Sequence, residues 1–470
     1  MEEGVDLKIL LVRPMPPKET IGLKHIMICE PLELEYLVAN IDKACDVQIL
    51  DMIIEKKSLK HFIEKYNPDI VGLTGYITHV KVIKDYAKEI KEINKDIKVI
   101  AGGVHAEVVP SDFVSKHIDY IIESDPVATF NRIIDVAKEE INQRRNNNID
   151  NSYINDIHIQ GTYKEGFKNP KVNTWPKNHP DRAMTKRYRN KYYYMFHNPC
   201  ALMKTSYGCP YNCSFCFCKE ITDGRYYARP IDDVIDELKT IPENEIYIVD
   251  DDFLFSRERL TEFCDKLEQN KIKKRFLVYG RSDFVSENED IIKRLAENGL
   301  RAVIVGLESF KREELDIYNK KTSIEANEKA VNILQKYDIE VYATLIMHMD
   351  YDKEDFKNLG KWIKGLGLMF VNLQPLTPLP GTDIYEEYER SLIIKREDYE
   401  KWDLAHLALM PSKMSIRSYY IEIIKLYYSI TMRPKNVWKM IKTYGISQVL
   451  KLSLGSSAVT FQYIKKAIKG

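Results

Sequence analysis

At 470 residues the chain is too long for one ordinary domain, and about two or three are expected. Hydrophobic residues at 44% and charged residues at 30% fit a globular protein with sizeable cores. Lysine plus arginine equals aspartate plus glutamate, 70 each, which removes the usual electrostatic reason to expect nucleic acid as a general partner. Eight cysteines are too few for a disulfide framework, and the cluster from Cys209 to Cys218 points to metal ligation in a reducing compartment. Met1 to Asp6 is acidic and unlike a signal peptide. No apolar run reaches the roughly 18 residues of a spanning helix, so the expected location is cytoplasmic, with a membrane surface as the nearest alternative contact.

Residues 1–142 alternate short apolar runs with helical periodicity. Strands are expected at Lys8–Val12, Val47–Leu50, Ile70–Thr74, Lys98–Ala101 and Ile118–Ile122. Helices fall at Pro31–Ile41, Ser58–Tyr66 and Val80–Ile93. That alternation predicts a doubly wound, Rossmann-like (flavodoxin-like) parallel sheet, which binds ligands at the carboxyl ends of its strands. Those ends are Pro14–Pro17, Thr74–Thr78, Gly102–His105 and Glu123–Pro126. Thr74, Gly75, Tyr76, Gly102 and Gly103 are the candidate binding residues, because a Gly-Gly pair lets backbone approach a bulky ligand closely. His79 and His105 read as ordinary surface or loop histidines.

Residues 143–200 read as a join. Gln143–Asp150 is too polar to pack a core, and Tyr188–Tyr194 sets tyrosines among basic residues. This segment suits either a lid or tyrosine-rich packing between domains.

The most informative stretch follows a strand-like run, Ala201–Ser206, and a Tyr207-Gly208 turn. It reads Cys209-Pro-Tyr-Asn-Cys213-Ser-Phe-Cys216. Three thiolates on one short loop can ligate three irons of a [4Fe-4S] cluster and leave the fourth iron open. A zinc site completed by Cys218 or Cys200 is the alternative. Strand–helix units then repeat through residue 390. Strands are expected at Glu245–Val249, Arg275–Tyr279, Ala302–Val305, Glu340–Ile346 and Phe370–Gln374. Helices are expected at Ile231–Thr240, Arg257–Gln269, Asn288–Asn298, Ile324–Tyr337 and Lys353–Leu366. With the first run these make six units, fewer than the eight of a closed barrel. A partial (β/α)6 TIM-type barrel over residues 201–390 should carry its chemistry at the carboxyl strand ends, where Asp251, Asp252, Arg281, Gly306, Glu308, His348, Asp350 and Pro375 fall.

Residues 391–470 are helical in pattern. From Lys413 to Lys469 there are eleven Lys or Arg and one acidic residue, Glu422, with tyrosines and aliphatic residues between them. A basic amphipathic helix of this kind suits an anionic membrane surface; a cap packed on the barrel with its basic face in water suits the same pattern.

The cysteine stretch, with an aromatic residue before its third cysteine, resembles the signature of the radical S-adenosylmethionine (radical SAM) superfamily. Glu30-Pro-Leu-Glu-Leu-Glu-Tyr36, Pro68-Asp-Ile-Val-Gly-Leu-Thr74 and Ala101-Gly-Gly-Val-His105 resemble the cobalamin (B12)-binding domain that precedes the barrel in one class of that superfamily. Leu376-Thr-Pro-Leu-Pro-Gly-Thr-Asp383 and Tyr227-Ala-Arg229-Pro230 match further segments of that class. The resemblance implies a [4Fe-4S] cluster on Cys209, Cys213 and Cys216, with SAM on the open iron and reductive cleavage to a 5′-deoxyadenosyl radical. It places SAM contacts at Tyr207, Asp252, Arg281, Gly306, Glu308 and Pro375, and the corrin at the strand ends of residues 1–142. His348 and Asp350 replace a Gly-Phe-Pro turn and are candidate catalytic groups for a substrate proton. No Asp-x-His-x-x-Gly loop follows the first strand, so the corrin is expected without a histidine below cobalt.

The implied reaction is methylation of an unactivated carbon of a small-molecule or lipid substrate, with an external flavodoxin- or ferredoxin-type electron donor. A ring cyclase or rearrangement enzyme shares the layout, and a non-catalytic corrin or metal sensor is the rival outside enzymes. Methylthiotransferases need a second upstream cysteine cluster, which Cys29, Cys45 and Cys200 do not form.

Overall fold

The computed structural model describes residues 7–21, 26–41, 45–145, 158–171 and 175–469. Most of the polar run expected as a linker, from Asn146 to Asp150, lies outside the described residues, as does the acidic start from Met1 to Asp6. The chain divides into two compact units. One comprises Met1–Thr20, Pro31–Tyr188 and Glu220–Asp223, and the other Ile21–Glu30, Arg189–Lys219 and Gly224–Gly470. The expected join at 143–200 is thus shared, its first part with the first unit and its end with the second.

In the first unit β1 (Lys8–Arg13), β2 (Asp46–Asp51), β3 (Ile70–Thr74), β4 (Lys98–Gly102) and β5 (Tyr120–Ile121) form one sheet in the order β2-β1-β3-β4-β5. All four pairings are parallel. Ile9, Leu11, Ile49, Ile70 and Ile100 share a core with Leu34 of α1 (Leu32–Ala39) and with Phe130, Ile133 and Ile134 of α4 (Pro126–Arg145). α2 (Leu59–Tyr66) and α3 (Val80–Ile93) bury Ile63, Ile83, Ala87 and Ile90. α2 starts where the Ser58 hydroxyl accepts from the His61 amide and ends at Asn67, whose φ of 50° is left-handed. Strands covered on both sides are apolar throughout, which is why they read as continuous runs. Strand order reverses between β1 and β3, and a doubly wound sheet opens its ligand crevice there.

The second unit has six parallel strands in sequence order: β6 (Cys200–Met203), β7 (Glu245–Ile248), β8 (Arg275–Arg281), β9 (Leu300–Glu308), β10 (Glu340–Met347) and β11 (Phe370–Pro375). β6 and β11 stay unpaired with each other, so the barrel is open. Ile246, Val278, Val303, Val305 and Leu345 pack against Val234 of α5 (Ile231–Thr240), Leu260 of α6 (Arg257–Gln269), Ile292 of α7 (Glu289–Glu297), Ala330 of α8 (Ile324–Lys336) and Leu359 of α9 (Lys353–Gly365).

Two strands run further than the apolar pattern indicates. β8 continues through Arg281 and β9 through Glu308, so both side chains leave the last residue of a strand. The expected strand Ala201–Ser206 is instead split, with Ser206–Tyr207 pairing antiparallel to Tyr227–Ala228. Three helices complete the chain: α10 (Ile416–Thr431), α11 (Pro434–Tyr444) and α12 (Ile446–Lys469). No described helix is long and apolar enough to cross a membrane.

Candidate active site

The cysteine loop starts at Gly208, whose φ of 83° requires glycine and whose amide donates to Asp251 Oδ2 at 2.8 Å. Elements that follow β9 and β11 hold it from two sides. The Ser214 amide donates to the Tyr318 carbonyl, and the Ile384 amide donates to the Ser214 carbonyl. Phe215 packs edge-on against Tyr318 with ring centroids 5.8 Å apart, which accounts for the aromatic residue before the third cysteine. Cys213 is buried, while Cys209 and Cys216 are half-buried. Burial pushes the Cys209 thiol up to about 12 and raises that of Cys213. A hydrogen bond from Cys218 lowers the Cys216 thiol. Cys218 itself faces Asp251 Oδ1 at 3.7 Å. Cys200 begins β6, at the amino end of that strand, and is apart from the loop.

The three aspartates after β7 do three different things. Asp250 accepts from the amide and hydroxyl of Thr205 and from the Ser206 hydroxyl, at 2.5 to 2.7 Å, and thereby bends the chain out of β6. Asp251 holds the start of the cysteine loop. Asp252 is 2% exposed, and neither of its carboxylate oxygens has a hydrogen-bond partner. Burial outweighs the attraction of Arg281 and Lys320 and pushes its carboxyl up to about 8.

Arg281 lies beside the cysteines. Its Nη1 is 3.8 Å from Cys213 Sγ, and its guanidinium lies 3.7 Å from the centroid of the Tyr211 ring. Asp283 and the Lys320 carbonyl accept its remaining donors at 2.7 and 2.6 Å. Glu308 ends β9 at a register shift, with a left-handed φ of 59°. It forms a buried ion pair with Lys320 at 2.8 Å. A Cβ on Gly306 would overlap Glu308 Oε1 and stand 2.6 Å from Lys320 Nζ, so glycine there makes room for the pair. Lys320, Asp283 and Tyr211 are site residues the sequence did not single out. The left-handed residues on either side of Lys320, Asn319 (φ 48°) and Lys321 (φ 55°), come from a turn with no apolar period to read.

The other candidates are placed as follows. Pro375 ends β11, opposite Met347 of β10. Tyr207 lies under the Lys204 ammonium at 4.7 Å. His348 is buried, 3.4 Å from the Tyr388 hydroxyl, and its Nδ1 accepts from the Asp350 amide. Asp350 is half exposed and accepts from the Ser412 hydroxyl. Arg229 is an internal clamp: its guanidinium meets Asp233, Glu237 and the Lys204 carbonyl.

In the first unit Thr74 ends β3 with Gly75 and Tyr76 after it, and Gly102 ends β4 with Gly103 after it. Tyr76 is 60% exposed, and a Cβ on Gly102 would meet nothing closer than Ile122 at 3.8 Å. Gly103 has a different reason to be glycine from the one expected. Its φ is 102°, and a Cβ there would stand 2.7 Å from the Gly75 carbonyl oxygen, so the two loops cross backbone to backbone. His79 and His105 are buried, contrary to the surface or loop reading. His105 pairs with Asp112 at 2.7 Å, and His79 packs over Gly75, with its ring nitrogen accepting from the Tyr76 amide.

A three-thiol loop at the carboxyl end of an open parallel barrel, in a chain that also carries a separate doubly wound unit, defines an iron–sulfur enzyme with a second ligand-binding domain. Known proteins agree. The family model described as the radical SAM superfamily matches residues 203–363, and the one described as the B12 binding domain matches residues 21–133. The hopanoid C-3 methylase of Methylococcus capsulatus is 25% identical over 89% of this chain and 79% of its own length. The bacteriochlorophyllide d C-8(2)-methyltransferase of Chlorobaculum tepidum is 24% identical over 79% of this chain and 80% of its own. The solved structure of the cobalamin-dependent S-adenosylmethionine radical enzyme OxsB, with aqua-cobalamin and S-adenosylmethionine bound, shares the fold. It has a TM-score of 0.66 at 15% identity and covers 98% of this chain and 72% of that one.

The chain belongs to the radical SAM superfamily, in its cobalamin-dependent group, and its cofactors are a [4Fe-4S] cluster, S-adenosylmethionine and cobalamin. The residues present fit them. Soft thiols supply the donor set, with the cationic groups of Arg281 and Lys320 near Cys213 to offset thiolate charge. Asp252 keeps two buried acceptor atoms without a protein partner. Among the described residues no three His, Cys, Asp or Glu side chains group around a single metal ion. Open Gly102 and exposed Tyr76 leave space at the strand ends of the first unit.

Proposed function

We propose that this enzyme transfers a methyl group to an unactivated carbon of a small-molecule or lipid substrate. When bound, the cluster and one SAM would supply a carbon-centred radical for hydrogen abstraction, and cobalamin would supply the methyl group, which a second SAM replaces with release of S-adenosylhomocysteine. Cys209, Cys213 and Cys216 would hold the cluster, with Cys218 left out. Glu308, Arg281 and Asp252 would hold SAM, together with Tyr207, Gly306 and Pro375 around it. Thr74, Gly75, Tyr76, Gly102 and Gly103 would border the corrin. Lys320 holds the Glu308 carboxylate in place through their ion pair, and the Tyr211 ring packs against the Arg281 guanidinium beside the loop.

The observation that carries the ligand site in this reading is Asp252, a carboxyl group buried beside the cysteine loop with two unpartnered oxygens. A buried unsatisfied carboxylate costs stability and is kept where a ligand completes it. The two methylases are matched over 79% and 80% of their own length, against 64% and 65% for two anaerobic magnesium-protoporphyrin IX monomethyl ester cyclases, which favours methyl transfer over ring closure. An external one-electron donor and a reducing compartment go with the chemistry. The test is anaerobic turnover of the reconstituted enzyme with a lipid and small-molecule extract. S-adenosylhomocysteine formed together with a product heavier by one CH2 supports methylation, and product formation without S-adenosylhomocysteine excludes it.

A further inference from the structure

We propose that α11 and α12 dock this protein on the surface of an anionic phospholipid bilayer. The structure divides the basic tail into two parts with different fates. α10 is the barrel cap: Tyr419, Tyr420, Ile423, Leu426 and Ile430 are buried, and the Tyr419 hydroxyl donates to the carbonyls of Met347 and His348. α12 packs on it through Tyr463, whose ring lies 6.0 Å from that of Tyr420, and through Ala467.

The side of α12 turned away from this packing carries exposed apolar residues among its serines and lysines. Ile446, Leu450, Leu454, Phe461, Ile464 and Ile468 are all exposed, and their spacing brings them onto one narrow helical stripe. Leu454 is 74% and Ile468 75% exposed, and Trp438 on α11 adds an indole that is 70% exposed. An exposed apolar stripe of this length, interrupted at Ser457, marks an interaction site on a surface helix.

Charge selects the occupant. From Met432 to Gly470 there are eight Lys or Arg and no Asp or Glu. Exposed Lys439, Lys442, Lys451 and Lys465 lie on the same two helices. A second copy would bring lysines against lysines, and a nucleic acid would leave the leucine and isoleucine stripe in water. An anionic lipid surface takes both, with aliphatic side chains below the headgroups and lysines among them. Neither helix is long and apolar enough to span a bilayer, so the contact is peripheral. Through Tyr463 and Tyr420, next to the residue that reaches the end of β10, the later part of the stripe lies level with the carboxyl ends of the barrel strands.

The test is sedimentation of the full-length holoprotein with phosphatidylcholine vesicles, with or without about 30 mol% phosphatidylglycerol. Binding is expected with phosphatidylglycerol only, weakened about tenfold by the exposed-site double variant Leu450→Glu/Leu454→Glu and by about 0.5 M salt. Unchanged 5′-deoxyadenosine formation by the double variant shows that it is folded. The proposal is overturned if the wild type stays in the supernatant or if the double variant binds as well as wild type. It is also overturned if light scattering shows a dimer that the double variant dissolves while vesicle binding is absent. Because vesicle binding is read without turnover, its failure leaves the methyl-transfer reading standing, and the reverse holds.

Discussion

The Glu308–Lys320 pair is buried on both sides, at 8% exposure each, and so has little water to fall back on. Removing the cation strands the carboxylate, so Lys320→Met is expected to cost about 3–5 kcal/mol in urea unfolding. Lys320→Met/Glu308→Gln should recover part of that while SAM cleavage stays lost; equal stability of Lys320→Met and wild type would contradict the pair's role. Gly306→Ala should leave the unfolding midpoint closer to wild type but depress SAM affinity, read by equilibrium dialysis, because the new methyl displaces the pair.

His79 makes a pH prediction. Burial, and then the Arg13 charge, lower its imidazole to about 4. The unfolded chain therefore binds the proton more readily than the fold does. The stability that depends on neutral His79 is present above about pH 6.5 and is lost as pH falls toward 4. His79→Gln should flatten that slope between pH 4 and about 6.5 in thermal melts; an unchanged slope would mean that another group carries it. The placement of the cysteines on one loop and of Arg281 and Glu308 at strand ends was legible from the motif spacing and the apolar runs. Lys320, Asp283 and Tyr211 were not, because each reaches the site from an irregular turn or a helix of six residues, where no period points anywhere.

At the level of elements, the helices expected in the first unit and the barrel end within two residues of those observed, as a 3.6-residue apolar period allows, whereas α4 (Pro126–Arg145) was not expected as a helix. Strand ends were not. Reading strands as apolar runs stops β8 at Tyr279 and β9 at Val305, whereas the strands continue to the polar side chains of Arg281 and Glu308. What fixes the end of β9 is a polar tie that hydropathy does not show. The Ser282 hydroxyl donates to Asn327 Oδ1 at 2.5 Å, and Asn327 Nδ2 donates to the Leu307 carbonyl at 2.9 Å. Asn327→Leu removes both bonds and leaves Ser282 with only the Thr322 hydroxyl at 3.2 Å and the Leu307 carbonyl with only the Ser309 amide at 2.8 Å. It should cost about 1–3 kcal/mol in denaturant unfolding and reduce 5′-deoxyadenosine yield by loosening Glu308. Loss of stability with full yield would separate the tie from the site. The tail shows the converse. Tyrosines and isoleucines with lysines between them read alike in α10 and α12, and only packing tells which aromatic face is covered.

At the scale of the molecule, two units with separate cores match the two-cofactor reading, and doubly wound and barrel topologies both followed from strand–helix alternation. The share of the join that belongs to each unit did not, because polar linker composition does not say which core a tyrosine enters. Since the residues proposed for cluster and corrin lie on different units, losing one thiol should leave corrin uptake intact. The most direct measurement is 5′-deoxyadenosine formed from SAM and dithionite by the anaerobically reconstituted, cobalamin-loaded enzyme, compared with its Cys213→Ala variant. The expected result is 5′-deoxyadenosine from the wild type and none from Cys213→Ala, with equal corrin absorbance in both. Full cleavage by Cys213→Ala, or none by the wild type, would contradict the assignment of the cysteine loop as the radical-generating centre.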